Sequence, residues 1–211
     1  KNAVQNAQTL YKRHQKLKRS RQAIEPLLAE VNAEIYYLEQ IEAALDRIPT
    51  YDRPEDLWAL EEIRDELIDR AYLPPPQHYR RSRERSEGTP FRRYATPGGF
   101  EVWVGRNNQQ NDKLTFRVAG DYDLWFHAQE IPGSHVLLRL QPGSVPDNTD
   151  LQFSADVAAY YSRASQSDRV PIVYTEPKNV YKPKGAQPGI AIYKKERVVW
   201  GEPGAIEAMK S

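Results

Sequence analysis

The chain has no cysteine among its 211 residues, so it forms neither disulfides nor cysteine-ligated zinc sites. No apolar run approaches the roughly 18 residues that a membrane-spanning helix needs, and no hydrophobic segment of a signal peptide is visible. We therefore expect a cytoplasmic protein that does not contact a membrane. The chain begins at Lys1 rather than at a methionine, and we expect it to be a piece of a longer protein.

Motifs that carry familiar enzyme chemistry are missing as well. The sequence has no G-x-S-x-G, no phosphate-binding G-x-x-x-x-G-K-[ST] and no H-E-x-x-H. Ser134 adjoins His135, but neighbouring residues of a strand point to opposite faces. Without cysteine, and without His, Asp or Glu at metal-ligand spacing near the histidines, a zinc site is not expected. We predict a protein that is not an enzyme and that uses no cofactor or metal.

Charged residues make up 28% of the chain, but its formal net charge is only +1. Residues 1–22 carry seven Lys or Arg and no acid, and residues 178–197 carry six basic residues and one acid. Residues 80–93 hold six arginines against two glutamates, whereas residues 39–69 hold eleven acids against three arginines. Such basic clusters are typical of contact with a polyanion. Solvated helices and linkers explain them equally well from composition alone.

The first 48 residues have the pattern of one long helix. Apolar residues recur every seven positions, and a second, mixed series follows four positions later. The first series is Ala3, Leu10, Leu17, Ile24, Val31, Leu38 and Leu45, and the second is Ala7, His14, Arg21, Leu28, Ile35 and Glu42. Because this register continues across Pro26, we expect a kink there rather than an end. A single heptad helix needs a partner, which is either a preceding helix or a second chain in a helix-mediated dimer.

A break at 49–54, a shorter helix and a linker follow. Residues 55–71 have an apolar face and an acidic face, and three consecutive prolines end this helix. The Arg-rich stretch after the prolines has nothing to bury and is predicted to be a polar linker. We therefore divide the chain into a helical, coiled-coil arm over 1–72, a Pro/Arg-rich linker over 73–90 and a domain over 91–204.

From Phe91 onward the pattern changes to the alternation that is typical of short strands. Ser154 is a candidate N-cap for a helix that ends near Ala164. Several strands with one main helix predict a small mixed α+β domain after the long helical arm. The predicted strands are 100–104, 114–118 (or a strand-like loop), 124–129, 136–140 and 170–174, with 190–193 and 197–200 as a hairpin.

The stretch D-Y-D-L-W-F-H-A-Q-E-I-P-G-S-H-V-L-L-R-L, residues 121–140, contains two of the four histidines. Its pattern predicts strand, turn and strand. In a simple hairpin, His127 faces Leu138 and Glu130 faces His135, so the two imidazoles are not cross-strand neighbours. Each imidazole is a candidate for a hydrogen bond to RNA or to the backbone. A packed structural role for His127 is an equal alternative.

Two loops offer groups that bind phosphate or sugar. Residues 178–189 bring together lysines, two glycines and Tyr181, which can approach phosphates and stack on a base. The lysines are Lys178, Lys182 and Lys184. An ordinary solvated loop is the alternative interpretation. The G-R-N-N sequence at 105–108 favours a tight turn, and a phosphate or sugar contact through Arg106 is the less favoured interpretation.

Four ordered motifs resemble a single family. They are G-R-N-N-Q-Q-N-D-K-L-T from Gly105, D-L-W-F-H-A-Q-E-I-P-G-S-H-V from Asp123, A-A-Y-Y-S from Ala158 and V-Y-T-E-P-K-N-V-Y-K-P-K-G-A-Q-P-G from Val173. This set resembles the NFACT-R domain of the RqcH/NEMF proteins, also called fibronectin-binding protein A-like. The N-terminal K-N-A-V-Q-N-A-Q-T-L-Y-K-R-H-Q-K-L-K resembles the coiled-coil segment of the same family. The resemblance covers nearly the whole chain.

The resemblance implies a ribosome-associated quality-control factor. Such proteins bind large ribosomal subunits obstructed by peptidyl-tRNA and recruit tRNA, in bacteria alanyl-tRNA, so that the stalled chain gains a C-terminal tail. The family's coiled coil reaches ribosomal protein and rRNA. The N-terminal domain that recognises tRNA lies outside the resemblance, so we do not expect this chain to support tailing alone. An adhesin-like, protein-binding module is the alternative that the fibronectin-binding name suggests.

The family motifs fall on defined positions of this sequence. These positions are Arg106, Asn107, Asp123, Trp125, His127, Gly133, Ser134, His135, Lys178, Lys182, Lys184 and Gly185. From them and from the basic half of the first helix we select candidate RNA-binding residues. The candidates are Arg106, Asn107, His127, His135, Lys178, Lys182, Lys184, Lys12, Arg13 and Lys16.

Overall fold

The computed structural model describes residues 2–48, 54–77 and 90–209. The chain forms two compact units, Lys1–Leu38 and Glu39–Ser211. The predicted break before residue 54 and most of the predicted Arg-rich linker lie outside the described residues. In the described part of the chain, no helix combines the length and apolar character that a membrane crossing requires.

The first helix, α1, runs over Ala3–Asp46 and continues through Pro26, as the heptad register predicted. Asn2 caps its start, because the Asn2 side chain accepts a hydrogen bond from the backbone N–H of Gln5 at 2.9 Å. The heptad positions in the first unit are exposed, with 66% of Leu10 and 59% of Leu17 accessible to solvent. The need of this stripe for a helical partner stays a prediction.

The second unit is a mixed α+β structure, as predicted, and contains a short helix, α2, over Pro54–Asp69. Its six-stranded antiparallel sheet has the order β1-β2-β4-β3-β5-β8. The strands are β1 Arg92–Ala95, β2 Glu101–Val104, β3 Leu124–Ala128, β4 Val136–Leu138, β5 Val170–Thr175 and β8 Arg197–Gly201. A separate two-stranded sheet pairs β6 Val180–Tyr181 with β7 Ile192–Tyr193. The sequence reasoning missed β1.

Two apolar layers cover the two faces of the large sheet, because successive residues of a strand point to opposite sides. On one face, residues such as Phe126 and Leu138 pack against helix α4, Asn148–Tyr160, and against Ile206 of helix α5, Pro203–Ala208. On the other face, Trp125, Leu137 and Val173 pack with Leu114 and Val180. The candidate RNA-binding motifs belong to this second face and to the loops that cover it.

The predicted hairpin of 190–193 with 197–200 is wrong. Strand β7 pairs with β6, whereas β8 pairs with β5 in the large sheet. Between β7 and β8, Lys195 has a left-handed backbone with φ of 53°. The apolar pattern identified both segments as strands, but their partners come from distant parts of the chain that a local pattern does not contain.

The predicted N-cap of α4 is wrong as well. The N-cap is Asp147, seven residues before Ser154, and Asp147 and Asp150 form a reciprocal capping box. The Asp147 carboxylate accepts hydrogen bonds from the N–H groups of Thr149 at 2.8 Å and Asp150 at 3.0 Å. Ser154 lies inside the helix, where its buried hydroxyl donates to the carbonyl of Asp150 at 2.8 Å.

Residues 108–118 are helical, so the predicted strand or strand-like loop at 114–118 is wrong. Helix α3, Asn108–Lys113, continues into a π-helix at Leu114–Val118. The Asn107 side chain caps α3 by accepting the N–H of Gln110 at 2.8 Å. The residues L-T-F-R-V favour a strand by propensity, but burial of Leu114 against the sheet overrides that local preference.

Gly201 offers a test of how tightly β8 packs on α4. A Cβ atom there would overlap the carbonyl oxygen of Ala155 and lie 2.9 Å from the Cβ of Ala159, whereas a Cβ at Gly204 meets nothing within 4 Å. We expect Gly201→Ala to lower the free energy of unfolding by about 1–3 kcal/mol. Gly204→Ala, in α5, should be neutral or stabilising by up to about 1 kcal/mol.

Urea unfolding followed by tryptophan fluorescence measures both variants, because all four tryptophans lie in the second unit. Equal stability of the two alanine variants would contradict the close β8–α4 contact.

Candidate nucleic-acid interface

The register of β3 and β4 corrects the sequence-based view of the two histidines. Leu124 pairs with Leu138, and Phe126 pairs with Val136, so His127 lies opposite His135. Their ring centroids are 5.2 Å apart, and the ring planes are nearly perpendicular. The prediction that the imidazoles are not neighbours is therefore wrong.

The register differs because the β3–β4 connection is larger than a simple hairpin. Glu130 adopts a left-handed φ of 55°. Gly133 is fixed by a bridge to Ser162, and its N–H donates to the side chain of Gln40 at 2.9 Å. A Cβ at Gly133 would lie 3.0 Å from the Cα of Ser162, so the close approach favours glycine. These long-range contacts fix the turn and are not visible in the local sequence.

A hydrogen-bonded aromatic cluster surrounds the two histidines. The indole N–H of Trp125 donates to Oγ1 of Thr115 at 3.0 Å, and the same oxygen lies 2.6 Å from Nδ1 of His135. Trp125 stacks on His127 at 5.7 Å between centroids. The backbone N–H of His135 donates to the side chain of Asn111 at 3.0 Å. Thr115, in the π-helix, was missed by sequence reasoning because 114–118 was taken for a strand.

Both imidazoles are buried, since only 6% of His127 and 2% of His135 is exposed. Burial lowers the pKa of His127 to about 4 and holds the pKa of His135 well below its usual range, with the neighbouring His127 as a further cause. Both rings are therefore neutral at pH 7. They pack inside the protein, and neither presents a charge to a polyanion.

Two more motif residues of this stretch bond inside the protein. The buried Asp123 carboxylate accepts hydrogen bonds from the N–H groups of Gly120 at 2.7 Å and Leu140 at 2.9 Å, and it pairs with Arg139 at 3.1 Å. The Ser134 hydroxyl donates to the carbonyl of Gly105 at 2.7 Å. Both side chains thus join loops to the ends of strands.

Arg106 and Asn107 hold the acidic helix α2 against the sheet. Oδ1 of Asp56 accepts hydrogen bonds from Arg106 at 3.2 Å and from Arg92 at 3.1 Å. The Asn107 amide donates to Oε2 of Glu62 at 2.6 Å. Both RNA-binding candidates are therefore already hydrogen-bonded to carboxylates of the same chain.

The three loop lysines differ in their surroundings. Lys178 pairs with Glu176, and Lys182 pairs with Asp112. The exposed ammonium of Lys184 has no ion pair or hydrogen bond among the described residues. Lys184 follows Pro183 in a turn that the N–H of Ala186 closes on the Pro183 carbonyl at 3.0 Å, with Gly185 at a φ of 77°. This turn places Lys184 at its tip.

In the first unit, Lys12, Arg13 and Lys16 are all exposed on α1. Lys12 and Lys16 are one helical turn apart and therefore share a face. Of the ten candidates, the structure thus leaves Lys184 and these three arm residues exposed without an ion pair in the described part of the chain. Across the described residues, no three His, Asp or Glu side chains converge as a metal ion would need.

Comparison with known proteins accounts for nearly the whole chain. Residues 1–86 match the family model of the NFACT N-terminal and middle domains, and residues 90–194 match that of the NFACT protein RNA binding domain. The structure of the C-terminal part of the fibronectin/fibrinogen-binding protein from Streptococcus suis is 33% identical, with a TM-score of 0.78 over 99% of this chain and 80% of that one. The chain belongs to the NFACT family.

Two curated NFACT relatives are named Rqc2 homolog RqcH. The protein from Bacillus subtilis (strain 168) is 35% identical over 210 residues, which are 100% of this chain and 35% of the relative. The protein from Streptococcus suis (strain 05ZYH33) is 39% identical over 199 residues, which are 92% of this chain and 33% of the relative. The chain spans about a third of the length of these NFACT relatives.

The ion pairs between Asp56 of α2 and two arginines predict that substitution of Asp56 destabilises the domain. Asp56→Ala leaves two partly buried arginines without their shared acceptor, so we expect the free energy of unfolding of the second unit to fall by about 1.5–3 kcal/mol. Glu55→Ala is the matched control, because Glu55 lies in the same turn and attracts Arg106 only at longer range. Equal effects of the two substitutions in urea unfolding would show that Asp56 does not hold α2.

The buried histidines predict that stability depends on pH. The unfolded chain binds a proton at position 127 below about pH 6.5, whereas the folded chain binds it only near pH 4. Protonation of His127 in the unfolded chain therefore leaves the free energy of unfolding unchanged above about pH 6.5. As the pH falls from 6.5 to about 4, this protonation lowers the free energy of unfolding, with a slope of up to about 1.4 kcal/mol per pH unit. We expect His127→Gln to flatten the unfolding free energy measured between pH 6.5 and 5.

His14→Gln is the control for this pH profile, since His14 is exposed on α1. Its profile should coincide with that of the unsubstituted chain. Parallel profiles for all three proteins would contradict the burial of a neutral His127.

Proposed function

We propose that this chain is the RNA- and ribosome-docking part of a ribosome quality-control factor. The NFACT RNA binding domain and the relatives named Rqc2 homolog RqcH support this proposal. Its partners are large ribosomal subunits obstructed by peptidyl-tRNA, and its RNA contacts are with rRNA and tRNA. In the whole protein, this docking supports the addition of a C-terminal alanine tail to the stalled chain.

The observation that carries the proposal is the exposed charge of the segment 178–197, which contains β6 and β7 and which we call the lysine loop. Lys184, Lys194 and Lys195 are exposed. Lys194 lies 5.6 Å from the ring centroid of Tyr181, which is itself 44% exposed. Exposed ammonium groups beside an exposed aromatic ring supply both the phosphate contact and the stacking surface that single-stranded RNA uses.

The basic part of α1 is the second proposed contact. Lys12, Arg13 and Lys16 are exposed on it, and the sequence 1–22 contains no acid that would repel phosphate. We assign this part to rRNA and to the ribosomal protein beside it. Two acidic residues of the stretch 39–69, Asp56 and Glu62, face protein instead, since they already bind the domain.

In this proposal the chain binds RNA and does not transform it, so it is not an enzyme. Its buried histidines are neutral, with His135 in contact with Thr115 and His127 packed on Trp125, and no metal-binding cluster forms among the described residues. Metal-dependent cleavage of RNA by the purified chain would contradict this part of the proposal.

A second candidate function is binding of an extracellular matrix protein. It is favoured by the name of the similar S. suis structure, a fibronectin/fibrinogen-binding protein. Binding of fibronectin by the purified chain, with no binding of RNA or ribosomal subunits, would favour this function over the first.

The lysine loop provides an internal comparison for the main test. Lys184→Gln removes an exposed ammonium, whereas Lys178→Gln and Lys182→Gln remove ammonium groups that Glu176 and Asp112 already neutralise. We expect Lys184→Gln to weaken co-sedimentation with large ribosomal subunits most. It should also lower the slope of log affinity against log salt by about 0.7–0.9, the value for one phosphate contact.

The unsubstituted chain is the reference, measured at low and physiological salt. An affinity that does not change with salt would contradict the electrostatic docking. Equal effects of the three lysine substitutions would remove Lys184 from the proposed contact.

A further inference from the structure

An aromatic and basic cluster lies at the β1–β2 edge of the sheet, apart from the lysine loop. Its members, which we call the Trp103 cluster, are Phe91, Arg93, Trp103, Lys113 and Arg139. The Arg93 guanidinium carbon lies 4.4 Å from the Trp103 ring centroid, and that of Arg139 lies 4.5 Å from it. Phe91 stacks on the same indole at 5.8 Å, and the Lys113 ammonium lies 5.9 Å from the Phe91 ring.

The strand pairing explains why the two arginines meet one ring. Arg93 of β1 lies directly opposite Trp103 of β2, and Trp103 lies opposite Leu137 of β4. Arg139 follows two residues after Leu137 and so shares its face of the sheet. The guanidinium groups thus approach the indole from the strands on either side of β2.

A buried carboxylate fixes the position of Arg139. Its guanidinium pairs with the buried Asp123 carboxylate at 3.1 Å, and that carboxylate is held by two backbone N–H groups. Arg93 is exposed and makes no ion pair among the described residues. One guanidinium is therefore anchored, and the other is held by the ring while its N–H groups stay accessible to a ligand.

The charge of the cluster favours an anion. Arg93, Arg139 and Lys113 supply three cations. Two carboxylates contact the cluster, because Asp123 pairs with Arg139 and Glu101 accepts the Trp103 indole N–H at 3.2 Å. Arg93 is the guanidinium left without a carboxylate partner among the described residues. A stacked guanidinium keeps its in-plane donors for bidentate contact with phosphate, and its plane accepts a stacked base. Stacking also removes side-chain freedom that RNA binding would otherwise have to remove.

We propose that the Trp103 cluster is a second RNA-binding site of this domain, which takes single-stranded RNA by phosphate contacts to Arg93 and Arg139 and base stacking on the guanidinium planes. The proposal rests on the proposed function, since it assumes that the domain binds RNA. It adds a site at the β1–β2 edge that does not use the lysine loop.

The test measures the binding of a 12-nucleotide oligouridylate by fluorescence anisotropy at roughly 50 mM salt, where phosphate contacts are strong. Trp103→Leu keeps every charge but removes the ring that orders the arginines, and Arg93→Gln removes one cation. Each should weaken binding about tenfold, the size expected when one stacking contact is lost. Arg93→Gln should in addition lower the salt slope by about 0.7.

Two controls separate the site from general charge and from folding. Arg169→Gln removes one exposed arginine that pairs with Glu202 near the opposite edge of the sheet, and it should leave affinity within about twofold of the unsubstituted chain. Trp103→Phe keeps a ring for the guanidinium groups and should retain most of the binding. Because Arg93 is exposed, Arg93→Gln tests the site even if Trp103→Leu does not fold.

The possible results distinguish the two proposals. If the unsubstituted chain binds RNA and Trp103→Leu, Arg93→Gln and Arg169→Gln all bind equally well, the Trp103 site is refuted and the proposed function stands. If the unsubstituted chain binds no RNA at all, both proposals fail. Binding of fibronectin that Arg93→Gln abolishes, without any RNA binding, would assign the cluster to a protein partner and overturn the RNA site.

Discussion

The hydroxyl of Thr115 joins the parts of the domain that surround the second face of the sheet. It accepts a hydrogen bond from Trp125 and contacts His135, so three polar groups are satisfied in apolar surroundings. Because Thr115 belongs to the π-helix, these contacts hold that helix and α3 over the sheet. The lysine loop packs against α3 in turn, since a Cβ at Gly189 would lie 3.1 Å from the Cα of Asn108.

The fixed backbone explains how the loop combines order with exposed charge. The Thr175 hydroxyl donates to the carbonyl of Lys194 at 3.0 Å, so the loop is attached to β5 at its far end. The side chains of Lys184, Lys194 and Lys195 lie outside these contacts and stay exposed. A loop held in this way loses little conformational entropy on binding a polyanion, which favours affinity without adding contacts.

The buried motif residues and the exposed cations have different roles in this account. Asn107, Asp123, His127 and His135 are buried and bonded or packed within the protein, so they shape the domain. Lys184 and Arg93 are exposed, and we propose that they carry the charge that meets RNA. Burial decides this division, because a buried neutral imidazole offers no charge to phosphate.

Local pattern was sufficient to predict the long helix, the short acidic helix and most strands. Their heptad, amphipathic and alternating periods arise from neighbours along the chain. The pattern failed where distant residues decide the structure. The partner of β8, the turn that Gly133 makes on Ser162 and the burial of Leu114 each depend on contacts between segments that are far apart in sequence.

The candidate site was predictable only in part for the same reason. Clustered lysines identified the loop, but nothing in the sequence revealed that Lys178 and Lys182 have acidic partners while Lys184 is exposed without one. Arg106 stayed among the RNA-binding candidates because its partner, Asp56, is fifty residues away. Trp103 was taken only as part of a strand, since its two arginines come from the neighbouring strands.

The central claim is that exposed basic residues contact RNA and that the buried motif residues do not. Ultraviolet crosslinking of the chain to RNA, with each crosslinked residue located by mass spectrometry, tests it most directly. The account predicts crosslinks in the lysine loop around Lys184 and at the β1–β2 edge around Trp103. Crosslinks located at His127, His135 or Asn107, with none at the exposed residues, would contradict it.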